Sequence, residues 1–350
     1  MEFLYDYGLF LAKAVTIAAA LVFVLGFVFA ISHRQRPEAD GHIEIRSLNE
    51  HYQGMNDAMR EVLEDHDTVK SDCKERDKSE KKQRKEQKKQ RKAGLKPAHK
   101  PRMFVLSFDG DIKASEAEHL REEVSAVLLQ AEEDDSVLLK LESPGGLVHG
   151  YGYAASQLQR LVDAKVNLVV AVDKVAASGG YMMACVANKI IAAPFAVLGS
   201  IGVVAQIPNF HRVLKDNKVD FEVLTAGEYK RTMTVFGENT ERDRAKFIED
   251  LEDTHELFKN HVSKHRPGVN IAEVATGETW YGSQALENGL IDAVQTSDGY
   301  IQDRIHEQLV YSVKWKHKKT WQERLGFAAE GALTRSFLRL WQHSQNGRHF

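Results

Sequence analysis

The stretch Val137-Leu-Leu-Lys-Leu-Glu-Ser-Pro-Gly-Gly146 passes from a short apolar run directly into a turn rich in proline and glycine. An apolar run of this length, bounded by turn residues, is typical of a buried strand. A helical pattern follows over Tyr151–Val162, and the next apolar run begins at Asn167. This order of strand, turn, helix and strand predicts parallel strands that are joined by helices.

The same alternation continues through the chain from Met103 onward. The predicted strands are Met103–Phe108, Val137–Glu142, Asn167–Val172, Lys189–Ala193 and Phe221–Leu224. The predicted helices are Ser115–Ala131, Tyr151–Val162, Gly179–Ala187, Thr240–Lys264 and Ser283–Asn288. The apolar run Ala184–Ile207 is interrupted by charged, proline and glycine residues, so it predicts buried strands rather than a membrane span. We therefore expect an α/β fold with a mostly parallel sheet.

The N-terminus has a different character. Ala14–Ile31 is an uncharged run that is long enough to cross a bilayer. A cleaved signal peptide is the alternative, but acidic rather than basic residues begin the chain, and the run exceeds an ordinary signal sequence. We predict an uncleaved transmembrane anchor over residues 1–33. Arg34 and Arg36 favour a cytoplasmic C-terminal side, yet long domains cross membranes regardless of flanking charge, so the side stays open.

Residues 34–102 form a charged spacer in which a helix or disorder is expected. The formal net charge of -3 conceals a basic cluster, since residues 70–102 hold 15 of the 47 Lys and Arg residues against 5 acids. A solvated linker is the simplest interpretation, and attraction to anionic lipid headgroups is the second. Nucleic-acid binding is disfavoured because no aromatic residues are interleaved to stack on bases. The two cysteines, Cys73 and Cys185, make neither a disulfide framework nor a metal site.

Ser178 is the candidate nucleophile. It lies in Val175-Ala-Ala-Ser-Gly-Gly-Tyr-Met-Met-Ala184, where a buried strand passes into an apolar helix. Such a turn exposes the hydroxyl, and Gly179 lets a substrate carbonyl approach the backbone. The second turn, at Ser143–Gly146, also follows a strand, so the N–H groups of Gly146 and Gly179 would stabilise an oxyanion. Either glycine pair alone fits a tight turn without function; two at strand ends favour acyl transfer.

Three residues are candidates for the base that deprotonates Ser178. His149 and His211 are the nearest histidines, and histidine is the commonest general base. Lys230, in Ala226-Gly-Glu-Tyr-Lys-Arg231, is the third. A lysine acts as a base only when neutral, so its pKa must fall from about 10.4 towards 7 in a desolvated site. The pattern of residues leaves this choice open.

Five blocks of the sequence resemble the signature blocks of the signal peptide peptidase A family, most strongly its SohB branch. They are Ser143–Gly146, Ala177–Tyr181, Gly199–Val203, Gly227–Lys230 and Trp280–Asp292. The blocks follow the order of the family, and the resemblance covers residues 104–294. It implies an α/β domain of the Clp-protease/crotonase-like type and a serine peptidase with a Ser–Lys dyad.

The resemblance also implies roles for individual residues. Ser178 would be the nucleophile, Lys230 the general base, and Gly146 and Gly179 the oxyanion donors. Ser200, in Gly-Ser-Ile-Gly, would position the lysine or line the pocket. The family further implies ring-like homo-oligomers in which neighbouring subunits contribute the serine and the lysine. We expect no cofactor, no metal and no nucleic-acid partner.

Four segments are therefore expected: the anchor over 1–33, the spacer over 34–102, a Clp/crotonase-like peptidase domain over 103–312, and a basic aromatic helix or tail over 313–350. The tail would lie on the membrane surface or against a neighbouring subunit. The expected function is hydrolysis of membrane-associated peptides, such as cleaved signal peptides or misfolded membrane proteins, by an endopeptidase anchored in a bacterial inner membrane.

Two other functions stay open on the sequence. A crotonase-like acyl-CoA enzyme would use the paired N–H groups on an enolate. That enzyme would need a catalytic acid near the glycine turns and leaves Lys230 unexplained. A membrane scaffold with an inactive site is the other alternative.

Overall fold

The computed structural model describes residues 8–9, 13, 15–16, 41–93, 100–227 and 229–317. The predicted anchor lies almost entirely outside these residues, as does the predicted tail beyond residue 317. Within the described ranges, no helix combines the length and the apolar character that a membrane crossing requires. Residues 43–315 form one compact unit, and this unit carries the candidate site.

The main sheet is mostly parallel. In the part of the chain that the structure describes, its strands are ordered β1-β10-β2-β3-β4-β6-β9. These strands are β1 (Gly41–Ser47), β2 (Arg102–Asp109), β3 (Ser136–Glu142), β4 (Asn167–Val172), β6 (Lys189–Ala192), β9 (Ala293–Val294) and β10 (Leu309–His317). Every pairing from β10 through to β9 is parallel.

A smaller sheet lies beside it. Its strands are β5 (Val175–Ala177), β7 (Val197–Gly199) and β8 (Thr279–Tyr281). β5 and β7 pair in parallel, and β8 pairs with β7 in antiparallel fashion. A single bridge between Ser143 and Ala176 connects the end of β3 to β5. This bridge brings the first glycine turn towards the strand that precedes Ser178.

Helices connect the strands and cover both faces of the main sheet. They are α1 (Leu48–Leu63), α2 (His66–Lys92), α3 (Ala117–Leu128), α4 (Val148–Asp163), α5 (Gly179–Ala184), α6 (His211–Asp216), α7 (Glu241–His265), α8 (Ile271–Val274), α9 (Gly282–Glu287) and α10 (Ser297–Arg304). The start of α7 is fixed by a capping box, in which the Thr240 hydroxyl accepts a hydrogen bond from the Asp243 N–H.

The strands of the main sheet bury side chains on both faces. On β2, Phe104, Leu106 and Phe108 point into a core that also contains α3, α4, α5 and α7. Met103 and Val105 point to the opposite face, where α10 packs and where α1 contributes Leu48 and Tyr52 at the margin. Side chains alternate between the faces of a strand, so a strand that is covered on both sides reads as an unbroken apolar run. This explains why the apolar runs predicted these strands.

Four of the five predicted strands are confirmed within one or two residues, as are the five predicted helices within three residues. The strand predicted at Phe221–Leu224 is wrong. This segment has no regular structure and no strand partner among the described residues, and Phe221 and Leu224 are both exposed. The prediction failed because an apolar run forms a strand only where a neighbouring strand completes its hydrogen bonds.

The spacer holds more structure than its composition predicts. β1 lies within the predicted spacer but belongs to the main sheet. The helices α1 and α2 occupy most of the segment. Arg76 contacts Asp57 at 2.6 Å and thereby links α2 to α1. At the other end of the domain, β10 extends to His317 and so includes the first residues of the predicted tail.

Candidate active site

Ser178 occupies a strained turn between β5 and α5. Its φ of 52° and ψ of -118° lie in a region that residues with a side chain rarely adopt. The Ser178 N–H donates to the carbonyl of Gly199 at 2.8 Å, and the Ser178 carbonyl accepts from the Met182 N–H at 2.9 Å. The backbone on both sides of the hydroxyl is therefore fixed, while the side chain remains half-exposed.

Ser200 follows the neighbouring strand in the same way. Ala177 pairs with Gly199 across β5 and β7, so Ser178 and Ser200 succeed the ends of two adjacent parallel strands. Ser200 also has a positive φ, of 50°, and its N–H donates to the carbonyl of Glu278 at 2.6 Å. The structure thus places the predicted support residue at the same end of the small sheet as the predicted nucleophile.

The first glycine turn lies directly against Ser178. A Cβ atom added at Gly145 would be 2.7 Å from the Ser178 Cβ and 2.8 Å from the Gly179 nitrogen. Gly145 also has a φ of 92°, which favours glycine. Position 145 therefore requires glycine both for its backbone conformation and because there is no room for a Cβ atom, and the two glycine turns are in contact.

Two backbone N–H groups beside Ser178 are available to a ligand. The Gly145 N–H donates to the Ser143 hydroxyl at 3.0 Å, so it is already paired. The N–H groups of Gly146 and Gly179 donate to none of the residues that the structure describes. Gly146 is held close to Ile112, because an added Cβ would come within 2.2 Å of the Ile112 carbonyl oxygen. The two predicted oxyanion donors are thus free and rigidly placed.

Tyr151 supports this arrangement from α4. Its hydroxyl donates to the carbonyl of Asp111 at 2.8 Å and lies 2.6 Å from the Ser143 hydroxyl. Because the Tyr151 proton is given to Asp111, the Ser143 hydroxyl donates to Tyr151 and accepts from Gly145. Burial raises the pKa of Tyr151, which keeps the phenol protonated. A Cβ atom added at Gly179 would lie only 2.4 Å from the Cγ atom of the Tyr151 ring, so the ring leaves no room there for a side chain.

Sequence reasoning missed this role of Tyr151. On the sequence, Tyr151 is one of the apolar positions of the predicted helix Tyr151–Val162, and a buried tyrosine there suggests only core packing. The one feature of the sequence that could have indicated this role is the position of Tyr151. It begins the predicted helix, eight residues after Ser143. Buried tyrosine hydroxyls seek a hydrogen-bond partner, and the turn supplies one.

None of the three candidate bases is hydrogen-bonded to Ser178. Lys230 is exposed, and its ammonium group has no hydrogen bond or ion pair with any residue in the described ranges. His149 is exposed in the first turn of α4, and His211 is half-exposed at the start of α6. The structure of the single chain therefore brings Ser178, Gly146, Gly179 and Ser200 together.

The segment that carries Lys230 exposes many apolar side chains to solvent. The Phe236 ring packs against Phe210 and Phe221, with ring centroids 6.1 Å and 5.5 Å away. The Asn209 side chain ties this cluster together by donating to the carbonyls of Thr234 and Gly237. Large apolar side chains nevertheless face solvent throughout the segment: Val204, Phe210, Val213, Val219, Phe221, Val223, Leu224, Tyr229 and Phe236.

Two histidines of α7 attach that helix to the site. The His255 Nε2 lies 3.1 Å from the carbonyl oxygen of Ile201, which follows Ser200. The His261 Nε2 lies 3.0 Å from the carbonyl oxygen of Met182, one helical turn beyond Ser178. Burial lowers the pKa of His261, so its ring is neutral at pH 7. Sequence reasoning predicted this helix but assigned these histidines no role, because their spacing alone matches no motif.

Comparison with known proteins identifies the family. The family model described as peptidase family S49 N-terminal matches residues 2–158, and the model described as peptidase family S49 matches residues 160–309. The chain is 51% identical to the probable protease SohB of Haemophilus influenzae, over 94% of each chain. It is 48% identical to the probable protease SohB of Buchnera aphidicola subsp. Schlechtendalia chinensis, over 87% of this chain and 100% of that one.

A solved structure is also similar. It is that of the 1510-N membrane-bound stomatin-specific protease, a lysine-to-alanine mutant in complex with a substrate peptide. The TM-score is 0.41 at 12% identity, over 65% of this chain and 97% of that chain. The two family models and the relatives at about half identity decide the assignment: the chain belongs to peptidase family S49, within its SohB branch, and is a serine-type peptidase.

Proposed function

We propose that this peptidase is an endopeptidase of membrane-associated peptides in which Ser178 is the nucleophile and Lys230 the general base. The observation that carries the proposal is the pair of free N–H groups, at Gly146 and Gly179, on either side of a strained serine. Preorganised donors beside a nucleophile are what acyl transfer needs to stabilise its oxyanion. Membership of a peptidase family supports this function over an acyl-CoA enzyme or an inactive scaffold.

The proposed reaction follows from these positions. The Ser178 hydroxyl attacks the peptide carbonyl while its proton passes to the neutral Lys230 amine. The resulting oxyanion accepts hydrogen bonds from the Gly146 and Gly179 N–H groups. Lys230 then returns the proton to the departing amine, which leaves an acyl-enzyme on Ser178. Water, deprotonated by Lys230, attacks the ester and releases the second product.

We propose that a neighbouring subunit completes the site. Lysine is a base only when neutral, and burial in an apolar site favours that form, yet Lys230 is exposed in the single chain. Its segment presents a row of exposed apolar side chains, among them Leu224 at 89% exposure. A surface of that kind marks a contact with another chain. A homo-oligomer would cover these side chains and bring Lys230 to the Ser178 of its neighbour.

The membrane location and the finer fold type belong to the same proposal. The uncharged run Ala14–Ile31 supports a single-pass anchor in a bacterial inner membrane, and the basic spacer supports contact with anionic lipids. The mostly parallel sheet, with its serine after β5 and its glycine turn after β3, supports a Clp-protease/crotonase-like domain. An anchored enzyme of this kind would act on released signal peptides or misfolded membrane proteins.

Hydrolysis of a synthetic signal peptide by the full chain in detergent micelles tests the dyad. Ser178→Ala and Lys230→Ala should each lower the rate by about 10³-fold or more, with an unchanged midpoint of thermal unfolding. Lys215→Ala is the matched control, because it removes an exposed lysine from the same segment and should leave the rate unchanged. A variant of Ser178 or Lys230 that keeps its activity would exclude that residue from the proposed role.

A further inference from the structure

A groove of about 380 Å³ lies between α4 and α7, next to the candidate site. Two of its lining residues are close to the catalytic turns along the chain. Val148 comes two residues after Gly146, and Met182 comes one helical turn after Ser178. One wall of the groove therefore begins two residues after one proposed oxyanion donor, and another lies one helical turn after the proposed nucleophile.

The groove follows the two helices away from the site. Its lining residues extend from Val148 to Gln159 on α4 and from Thr254 to His265 on α7. Eleven residues of helix span about 16 Å, which is the length of about five residues of extended peptide.

The walls of the groove are apolar and partly uncovered. Leu257 is 71% exposed and Val148 is 44% exposed, while Phe258 is buried beneath them. Gly152 and Ala155 line the α4 side and leave room there. Exposed apolar side chains that line a concave surface are typical of a ligand site. The dimensions and the walls together suit an apolar peptide segment.

Lys264 carries the positive charge at the C-terminal end of the α7 wall. His261 and His265 line the same part of the groove with their rings 4.7 Å apart, and burial lowers the pKa of both. Lys264 is exposed and has no hydrogen bond or ion pair with any residue in the described part of the chain. The other two lysines of α7 differ, since Lys246 contacts Asp250 and Lys259 contacts Glu256.

Asp163, which is hydrogen-bonded to the groove residue Gln159, does not neutralise this end. The Asp163 carboxylate accepts a hydrogen bond from the Gln159 side chain at 2.7 Å, and it makes no ion pair with Lys264. An ammonium group without a carboxylate partner, on the wall of an apolar groove, is complementary to an anionic group on the ligand. A peptide offers such a group at its C-terminus.

We infer that this groove binds the C-terminal end of a peptide substrate, with apolar side chains against Leu257 and Val148 and the terminal carboxylate on Lys264. This inference rests on the proposed function, because it treats the groove as the extension of the Ser178 site. It specifies the substrate class: peptides with an apolar C-terminal segment and a free carboxylate.

Binding without turnover tests the inference. The full-length Ser178→Ala chain is titrated with a fluorescent apolar peptide that ends either in a free carboxylate or in an amide. The free acid should bind about 10-fold more tightly than the amide, as one charge-assisted contact provides. Adding Lys264→Gln should abolish this preference and Lys264→Arg should keep it. Lys259→Gln is the matched control, because it removes a lysine from the same helix outside the groove and should also keep the preference.

Equal affinities for the acid and the amide would overturn the inference, and so would a preference that survives Lys264→Gln. Failure of the dyad proposal has a different signature. If the Ser178→Ala chain hydrolyses the peptide, then Ser178 is not the nucleophile, and the preference is read instead from the KM for acid and amide substrates. Loss of the preference with Ser178 confirmed as the nucleophile would refute the groove alone.

Discussion

The turn that carries Ser178 and the segment that carries Lys230 are built in opposite ways. Around Ser178 the backbone is fixed by hydrogen bonds to Gly199 and Met182. Glycines pack against it so closely that an added Cβ atom would overlap its neighbours. Around Lys230 the chain has little regular structure, and large apolar side chains face solvent. Both regions are proposed to act in one reaction, yet only the first is completed by the fold of the single chain.

This difference has a physical reason. A nucleophile and its oxyanion donors must be placed to within a fraction of an ångström, so they belong on rigid elements with locked neighbours. The lysine that acts as the base must first lose its hydration shell and its positive charge. An exposed segment that becomes buried only on assembly would make the lysine active only within the oligomer. An isolated subunit would then be inactive although its oxyanion site is complete.

Two glycines with positive φ provide the strongest test of this contrast. Gly145→Ala adds a Cβ that overlaps the Ser178 Cβ and the Gly179 nitrogen, in addition to its strained φ of 92°. Gly227→Ala is equally strained at 102°, but its nearest neighbour is the Lys230 Cβ at 3.9 Å. We expect a loss of kcat/KM of about 10³-fold for Gly145→Ala and of less than about 10-fold for Gly227→Ala. Equal losses would show that the two regions are equally constrained.

Two leucines test the contrast in stability. Leu139 on β3 is fully buried, whereas Leu224 is 89% exposed. In the dissociated chain, Leu139→Ala should lower the free energy of unfolding by about 2–5 kcal/mol, and Leu224→Ala by less than about 0.5 kcal/mol. Sedimentation should in turn show weaker assembly for Leu224→Ala. A similar loss of stability for both variants would mean that Leu224 packs within its own chain.

A buried carboxyl tests the rigid region by itself. Burial raises the pKa of Glu123 to about 7, although one of its oxygens accepts a hydrogen bond from the Trp315 N–H, which acts to lower the pKa. The other oxygen is buried and has no hydrogen-bond partner among the described residues. Between pH 4.5 and pH 7 the folded state holds a proton that the unfolded state releases. Stability should therefore fall as the pH rises through this interval, by about 3 kcal/mol at most, and then level off.

Glu123→Gln serves as the control for that titration. An amide cannot ionise, so the free energy of unfolding of this variant should change less between pH 4.5 and pH 8 than that of the unchanged chain. Urea unfolding at several pH values measures the difference. The same pH dependence in both chains would contradict the assignment to Glu123.

The sequence predicts the rigid region better than the open one. Strands such as Asn167–Val172 are covered on both faces, so they appear as apolar runs that need no knowledge of the rest of the fold. Each glycine turn follows an apolar run, and this pattern predicts the Gly146 and Gly179 N–H groups as oxyanion donors, a role that stays a prediction. β1 was missed for the opposite reason, since Gly41–Ser47 is half polar and joins the sheet through pairing that composition does not reveal.

Other features depend on contacts that no local pattern encodes. The role of Tyr151 depends on its hydroxyl reaching Asp111 and Ser143, and the sequence shows only an apolar helix position. The apolar run at Phe221–Leu224 suggested a strand, but its side chains are exposed in the single chain. Lys230 was chosen over His149 and His211 through the family resemblance, and its role stays a prediction.

Mixing two inactive variants tests most directly whether the site is shared between subunits. Ser178→Ala keeps the lysine and Lys230→Ala keeps the serine, so a mixed oligomer contains interfaces at which both groups are intact. After equal amounts are dissociated and reassembled, about a quarter of the sites should have both groups if the dyad is formed between neighbours. We predict recovery of about a quarter of the unchanged chain's rate of peptide hydrolysis. No recovery, from oligomers shown to contain both variants, would contradict the account.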